Sequence, residues 1–253
     1  MAVIGIMSAM HEELAAVLAA MPDKQRVPVA GRDFWLGHWQ GHAVVAVLSR
    51  IGKVAAATTA TVLLDRFGVD TLVFTGVAGG LGSGVRVGDV VVADGLVQHD
   101  MDASPLFPRH EVPLYGRARF EADAALCVQL SAASEQVLAG AALHLGPSTL
   151  AEFQLTAPRV HRGLILSGDR FVSTSAESHA LRQALPEALA VEMEGAAVAQ
   201  VCHDYGVPFA AVRTISDRAD DTAHTDFQRF IREVASLYSL AIVSQWLRQR
   251  AVD

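Results

Sequence analysis

Cysteine is scarce in this chain: only Cys127 and Cys202 occur in 253 residues, and neither belongs to a CxxC pair or a zinc-type spacing. Both lie among apolar residues of helical pattern, so buried free thiols are expected. Charge is also sparse. Charged residues make up 19% against 51% hydrophobic, which excludes a disordered chain. A formal net charge of −7 and the lack of a basic stripe argue against binding a nucleic-acid backbone. No apolar run reaches the ~20 residues needed to span a bilayer. The segment Met1–Met10 lacks a basic region followed by a long apolar run, so it reads as a first strand and not as a signal peptide. A soluble cytoplasmic protein with reduced thiols is expected. There is no internal repeat and no low-complexity segment, and the length suits one α/β domain over 1–253.

What is present alternates between strand and helix patterns. Ala2–Ile6 reads as a buried strand, with Ser8 as cap of a helix from about Met10 to Ala20. Asp33–Gln40 and His42–Ser49 resemble a hairpin broken at Gly41. Lys53–Arg66 is a helix, Thr71–Thr75 a buried strand ending in a glycine-rich loop, and Asp89–Ala93 a strand. Asp100–Gly116 carries three prolines and has the length of a functional loop. Helix resumes at Glu121. Arg162–Ser167, Ala188–Glu192 and Pro208–Ile215 are strands separated by helices after Ser175 and over Glu194–Tyr205, and one long helix closes the chain at Phe227–Arg250. The expected fold is a three-layer α/β/α domain with a central mixed sheet.

Acidic and polar residues collect at the carboxyl ends of the expected strands, where α/β sheets place ligands. After the first strand come Glu12 and Glu13, either a favourable acidic helix start or a pair that includes a general base. Val191-Glu192-Met193-Glu194 puts two acids at the end of an apolar strand, where they cost desolvation unless partnered. A carboxylate there suits a two-point grip on ribose hydroxyls, and Met193 offers the sugar a soft surface. Asp217, after Arg213 and Ser216, is either a cap or an acid facing a purine. The glycines from Gly76 to Gly84 lack a following helix and a phosphate-loop lysine, so no NAD or ATP site is expected; close backbone approach to an uncharged ligand fits better. Strand alternation would put His99 and Met101 on one face and Asp100 and Asp102 on the other, a poor chelate, so no metal is expected.

Taken together, GIMSAMHEEL (Gly5–Leu14), SRIGKVAAA (Ser49–Ala57), TGVAGGL (Thr75–Leu81), VGDVVVAD (Val87–Asp94), SGDRFV (Ser167–Val172), AVEMEGAAVAQVC (Ala190–Cys202) and VPFAAVRTISD (Val207–Asp217) resemble the 5′-methylthioadenosine/S-adenosylhomocysteine nucleosidase family, of the nucleoside phosphorylase-like fold. The resemblance implies hydrolysis of the N-glycosidic bond of 5′-thio-substituted adenosines, without a cofactor. It implies that Glu13 activates water, that Asp217 protonates adenine N7, and that Glu194 binds the ribose hydroxyls while Met193 packs on the sugar. Phe171 would stack on adenine and the Val172 backbone read the base edge. Met10, Ile51 and Phe227 would wall the 5′-substituent, and Ala9, Gly79, Glu192, Arg213 and Ser216 would support the site. It also implies a homodimer in which a proline-bearing loop closes the partner's pocket.

The chain departs from that pattern at three places. Val77 stands where the family usually has a serine, whose hydroxyl helps hold the region of the nucleophilic water. The loop Ala103–Gly116 differs from the better-known bacterial enzymes, and Arg50 places a charge beside Ile51. Three other readings compete with this one. A phosphorylase of the same fold would need clustered arginines, whereas the glycine loop has none and Glu12 and Glu13 would repel phosphate. A hydrolase of another adenine nucleoside, such as aminodeoxyfutalosine, would use the same catalytic groups. A non-catalytic nucleoside binder would be expected to lose Glu13 or Asp217.

Overall fold

A computed structural model of the chain describes residues 2–220 and 227–251; the one-domain expectation over 1–253 therefore extends in part beyond the described residues. In chain order the strands are β1 (Val3–Ser8), β2 (Gln25–Val29), β3 (Arg32–Trp39), β4 (His42–Leu48), β5 (Thr71–Gly80), β6 (Val90–Gln98), β7 (Arg119–Glu121), β8 (Val160–Ser167), β9 (Ala188–Glu192) and β10 (Phe209–Asp217). The helices are α1 (His11–Ala19), α2 (Lys53–Phe67), α3 (Ala124–Ala139), α4 (Ala141–Leu145), α5 (Pro147–Glu152), α6 (Ser175–Ala184), α7 (Gly195–Tyr205), α8 (Phe227–Phe230) and α9 (Ser236–Gln249), with a π-helical turn over Ile231–Ala235.

All the strands join one mixed sheet in the order β10-β6-β8-β9-β5-β1-β4-β3-β2, with β7 on β6. β5 also pairs with β10, so β5, β10, β6, β8 and β9 close into a ring from which the other strands extend. The helices cover both faces. α1, α3 and α9 bury Leu14, Leu130 and Trp246 against one side of the sheet. α2 and α7 bury Ala56, Leu63, Ala196 and Cys202 against the other. Small residues on α2 and α7 let these helices lie close to the sheet, and each ends at a glycine in the left-handed conformation, Gly68 at φ 61° and Gly206 at φ 65°. Cys127 and Cys202 are buried free thiols on α3 and α7. Among the described residues no helix is long and apolar enough to cross a membrane.

Several local expectations need correction. α1 starts at His11 after Met10, and Ser8 does not cap it; the Ser8 hydroxyl instead lies 3.3 Å from that of Thr75 across the β1–β5 pairing. The glycine run through Gly80 is part of β5, because its neighbours on both sides supply strand partners. Chain after Arg119 first adds a short strand to β6 before α3 begins. The closing helix is interrupted by the π turn. Gln25–Val29, overlooked because it is short and includes Pro28, is an edge strand on β3.

Candidate active site

β5 organises the site because three other strands pair with its glycine-rich end. Ser8 of β1 aligns with Thr75, Arg213 of β10 with Gly76, Asp217 with Gly79, and Val191 of β9 also with Gly79. The carboxyl ends of β1, β9 and β10 are thereby gathered round one backbone segment. Gly79 has to be glycine for this: an added Cβ would lie 2.9 Å from both Asp217 Oδ1 and the Ala219 methyl.

A single cavity occupies the convergence. Its walls include Ala9, Met10, Ile51, Val77, Gly79, Phe171, Val172, Glu192, Met193, Glu194, Ser216, Asp217 and Phe227. Sequence reasoning named all of these. It also named Glu13 and Arg213, which the structure places behind the wall instead of on it. It missed Ala78, Arg170, Val191 and Gln228, which line the same space. Each adjoins a residue that was named, and adjacency was the available signal. The His99–Asp102 stretch lies beyond the end of β6, so the strand alternation assumed for it does not hold. Asp100 accepts from Lys53 Nζ at 2.5 Å and from the Asp169 N–H at 2.9 Å, while Asp102 accepts from Ser104.

The acids have different partners. Glu192 is neutralised: Arg213 Nη2 donates to it at 2.7 Å, the Gly195 N–H lies within 3.0 Å of both its oxygens, and Ser167 Oγ donates to it. Arg213 is 1% exposed, donates to the Phe74 carbonyl at 3.0 Å and lies 4.1 Å above the Phe74 ring. It is thus a structural cation committed to Glu192. The Glu194 carboxylate accepts from the Gly52 N–H at 2.8 Å. Burial and then the neighbouring charge of Glu192 push its carboxyl above the ordinary range.

Glu13 is fully buried. The Met10 N–H donates to its Oε2 at 3.2 Å, and its Oε1 has no protein partner among the described residues. Burial pushes its pKa up to about 7, against the opposing pull of the Arg213 charge. Asp217 accepts from Ser216 Oγ and from the Ala219 N–H, both at 2.8 Å. Phe171 and Phe227 meet edge to face at 5.9 Å and form an aromatic wall. Val77 brings its side chain to the cavity between these groups. Arg170 pairs with Glu177 at the rim.

The fold and the pocket define a class, a mixed-sheet α/β protein with an acid-ringed, aromatic-walled site, and a sequence model described as the phosphorylase superfamily matches residues 3–246. A curated relative from Marinomonas sp. (strain MWYL1), 5′-methylthioadenosine/S-adenosylhomocysteine nucleosidase, is 37% identical over 243 residues, covering 96% of this chain and 97% of its own. The nucleosidase of that name from Neisseria meningitidis, solved with methylthio-immucillin-A, superposes with a TM-score of 0.86 at 32% identity, covering 99% of this chain and 100% of the other. A Helicobacter pylori variant solved with 5′-methylthioadenosine in its active site gives 0.81 at 32% identity, covering 97% and 98%. The chain belongs to the 5′-methylthioadenosine/S-adenosylhomocysteine nucleosidase family.

Proposed function

We propose that this chain hydrolyses the N-glycosidic bond of 5′-thio-substituted adenosines, releasing adenine and a 5-thioribose derivative. The observation that carries this reading is the sorting of the acids. Glu192 is tied up by Arg213, while Glu194 and Asp217 line the cavity and Glu13, just behind its wall, keeps one carboxylate oxygen without a protein partner among the described residues. In the reaction Glu13 takes a proton from water through its unpartnered oxygen, and the water attacks C1′. Asp217 delivers a proton to N7 so that adenine leaves neutral. Glu194 holds the ribose hydroxyls, and its charge favours the oxocarbenium-like sugar. Attack from the face opposite the base implies inversion at C1′, by analogy with inverting glycosidases.

Phosphorolysis is disfavoured because Arg213 is already paired and Arg170 is bound to Glu177. The test is product analysis in phosphate buffer. Free 5-methylthioribose from 5′-methylthioadenosine is expected; a sugar phosphate as main product would overturn the reading. We place the whole chain, 1–253, in one working domain, supported by the single sheet. We read it as a homodimer, supported by apolar side chains exposed beside the pocket, and as a protein of a reducing compartment, the cytoplasm, supported by its two thiols.

A further inference from the structure

Helix α2 begins without a cap of its own. The residue before it, Gly52 at φ 95°, has no side chain to accept a backbone N–H, so the leading N–H groups of the helix need acceptors from elsewhere. Two carboxylates supply them. Glu194 Oε1 accepts from the Gly52 N–H at 2.8 Å, and Asp169 Oδ1 accepts from the Lys53 N–H at 2.7 Å. Glu194 is the ribose ligand of the reaction proposed above, whereas Asp169 is not a wall residue of the cavity. Consecutive N–H groups thus tie an acid of the site and an acid of the segment after β8 to the same positive helix end.

Asp169 is itself held. Its N–H donates to Asp100 Oδ2 at 2.9 Å, and Asp100 Oδ1 accepts from Lys53 Nζ at 2.5 Å. Lys53 therefore meets one aspartate with its backbone and the other with its side chain, closing a circuit between α2, the chain after β6 and the chain after β8. One residue before Asp169, the Gly168 N–H donates to the Glu192 carbonyl at 3.1 Å, which fixes the segment to the end of β9. The approach to α2 is close: a Cβ at Gly52 would lie 3.2 Å from Asp169 Oδ1, on a backbone that already requires glycine. The residues that follow Asp169 include Phe171 and Val172 of the cavity wall.

We propose that Asp169 is a positioning residue for ribose recognition: by capping α2 at Lys53 it fixes the Gly52 N–H, and through it the Glu194 carboxylate, while Asp100 holds Asp169 in place. The proposal rests on the ribose role given to Glu194 above and adds the residues that aim it. Without Asp169 both N–H groups would fall to one carboxylate, and Glu194 would be drawn along the helix end and off the ribose. With Asp169 present the Lys53 N–H is already satisfied, and Glu194 stays where Gly52 sets it.

The test uses 5′-methylthio-7-deazaadenosine, which has no N7 to protonate, and its 2′,3′-dideoxy analogue, which offers Glu194 no hydroxyl. Calorimetric Kd values for the pair are measured in the parent protein, Asp169→Ala and Asp169→Asn, beside kcat/KM for 5′-methylthioadenosine. Asp169→Ala is expected to raise the Kd of the hydroxylated compound about tenfold and that of the dideoxy analogue less than about twofold. Asparagine accepts an N–H at a helix start as aspartate does, so Asp169→Asn should recover most of the loss. Asp100→Ala should move the Kd ratio in the same direction, and it decides the question if Asp169→Ala does not fold. An unchanged ratio, whether both compounds weaken together or neither does, overturns the proposal. A parent that discriminates within the pair but does not cleave 5′-methylthioadenosine overturns the hydrolase reading, and the Kd ratio still decides the role of Asp169. A parent that binds neither compound, or both equally, overturns the ribose role of Glu194 and the proposal with it.

Discussion

Glu13 is an acid whose environment works against its charge. Burial raises its pKa from the ordinary 4.5 to about 7, so the folded protein binds the Glu13 proton more tightly than the unfolded chain does. The resulting stability is fully present below about pH 4.5 and is lost as pH rises through about 7. Glu13→Gln imitates the protonated side chain and escapes that loss. Urea titrations should find the variant more stable than the parent by about 3 kcal/mol at pH 8, with the two converging near pH 4. Catalysis runs the opposite way, because a base must be ionised. Parent kcat/KM should climb with pH to a plateau above about 7, and Glu13→Gln should lack that climb. A flat parent profile across this range would remove Glu13 from the role of base. Asp217 can be separated from it by the leaving group. Asp217→Asn keeps the shape beside Ser216 and Ala219 but cannot pass a proton to departing adenine. Its kcat on 5′-methylthioadenosine should fall ~10²–10⁴-fold. A nitrophenyl riboside with the same 5′-thio group leaves without protonation, so Asp217→Asn should cleave it nearly as well as the parent, whereas Glu13→Gln should fail on both. Equal losses on the two compounds would make Asp217 structural.

At the scale of elements, the site depends on one buried ion pair. Arg213 on β10 and Glu192 at the end of β9 are 1% and 7% exposed, and Glu192 also holds the first N–H of α7. Removing one partner leaves a buried charge without compensation, so Arg213→Met should cost ~3–5 kcal/mol. Adding Glu192→Gln to it should recover a good part of that loss, measured as a non-additive double-mutant cycle in urea. Strictly additive losses would mean that the two residues act separately. This pair also marks what could be read from the sequence. Acids at the end of an apolar strand announced that partners were needed, but the partner lies on another strand, and linear spacing carries no information about it. Apolar runs made β1, β9 and β10 legible: the end of β9 was read at Glu192 as observed, and those of β1 and β10 two residues short, at Ile6 and Ile215. The closure of the ring through β5 and β10 was not legible: the glycines of Gly76–Gly80 read locally as a loop, and tertiary pairing made them strand. The edge strand β2 was hidden by its shortness and by Pro28, which an edge position tolerates.

At the scale of the whole molecule, the question is what meets the exposed apolar residues, one of which belongs to the wall of the cavity. Ile51, a wall residue of the pocket, is 59% exposed, and Val54 on the first turn of α2 is 78% exposed. In the loop between β6 and β7, Leu106 and Leu114 are 83% and 91% exposed. Single exposed leucines are ordinary, but an exposed apolar residue such as Ile51 in the wall of a substrate cavity suits a surface that another copy covers. A symmetric dimer would bring the same patch of each protomer to its partner, and a loop from one could close the pocket of the other. Light scattering should then give about twice the 26.9 kDa of the chain. Leu106→Glu placed in that interface should shift the mass toward the monomer and raise KM for 5′-methylthioadenosine, because the open 5′ side no longer excludes water. The two effects should be coupled: diluting the parent enzyme should reproduce the raised KM at concentrations where scattering reports monomer. A monomeric parent with concentration-independent kinetics would mean that each chain closes its own pocket, and the exposed leucines would then have no part in catalysis.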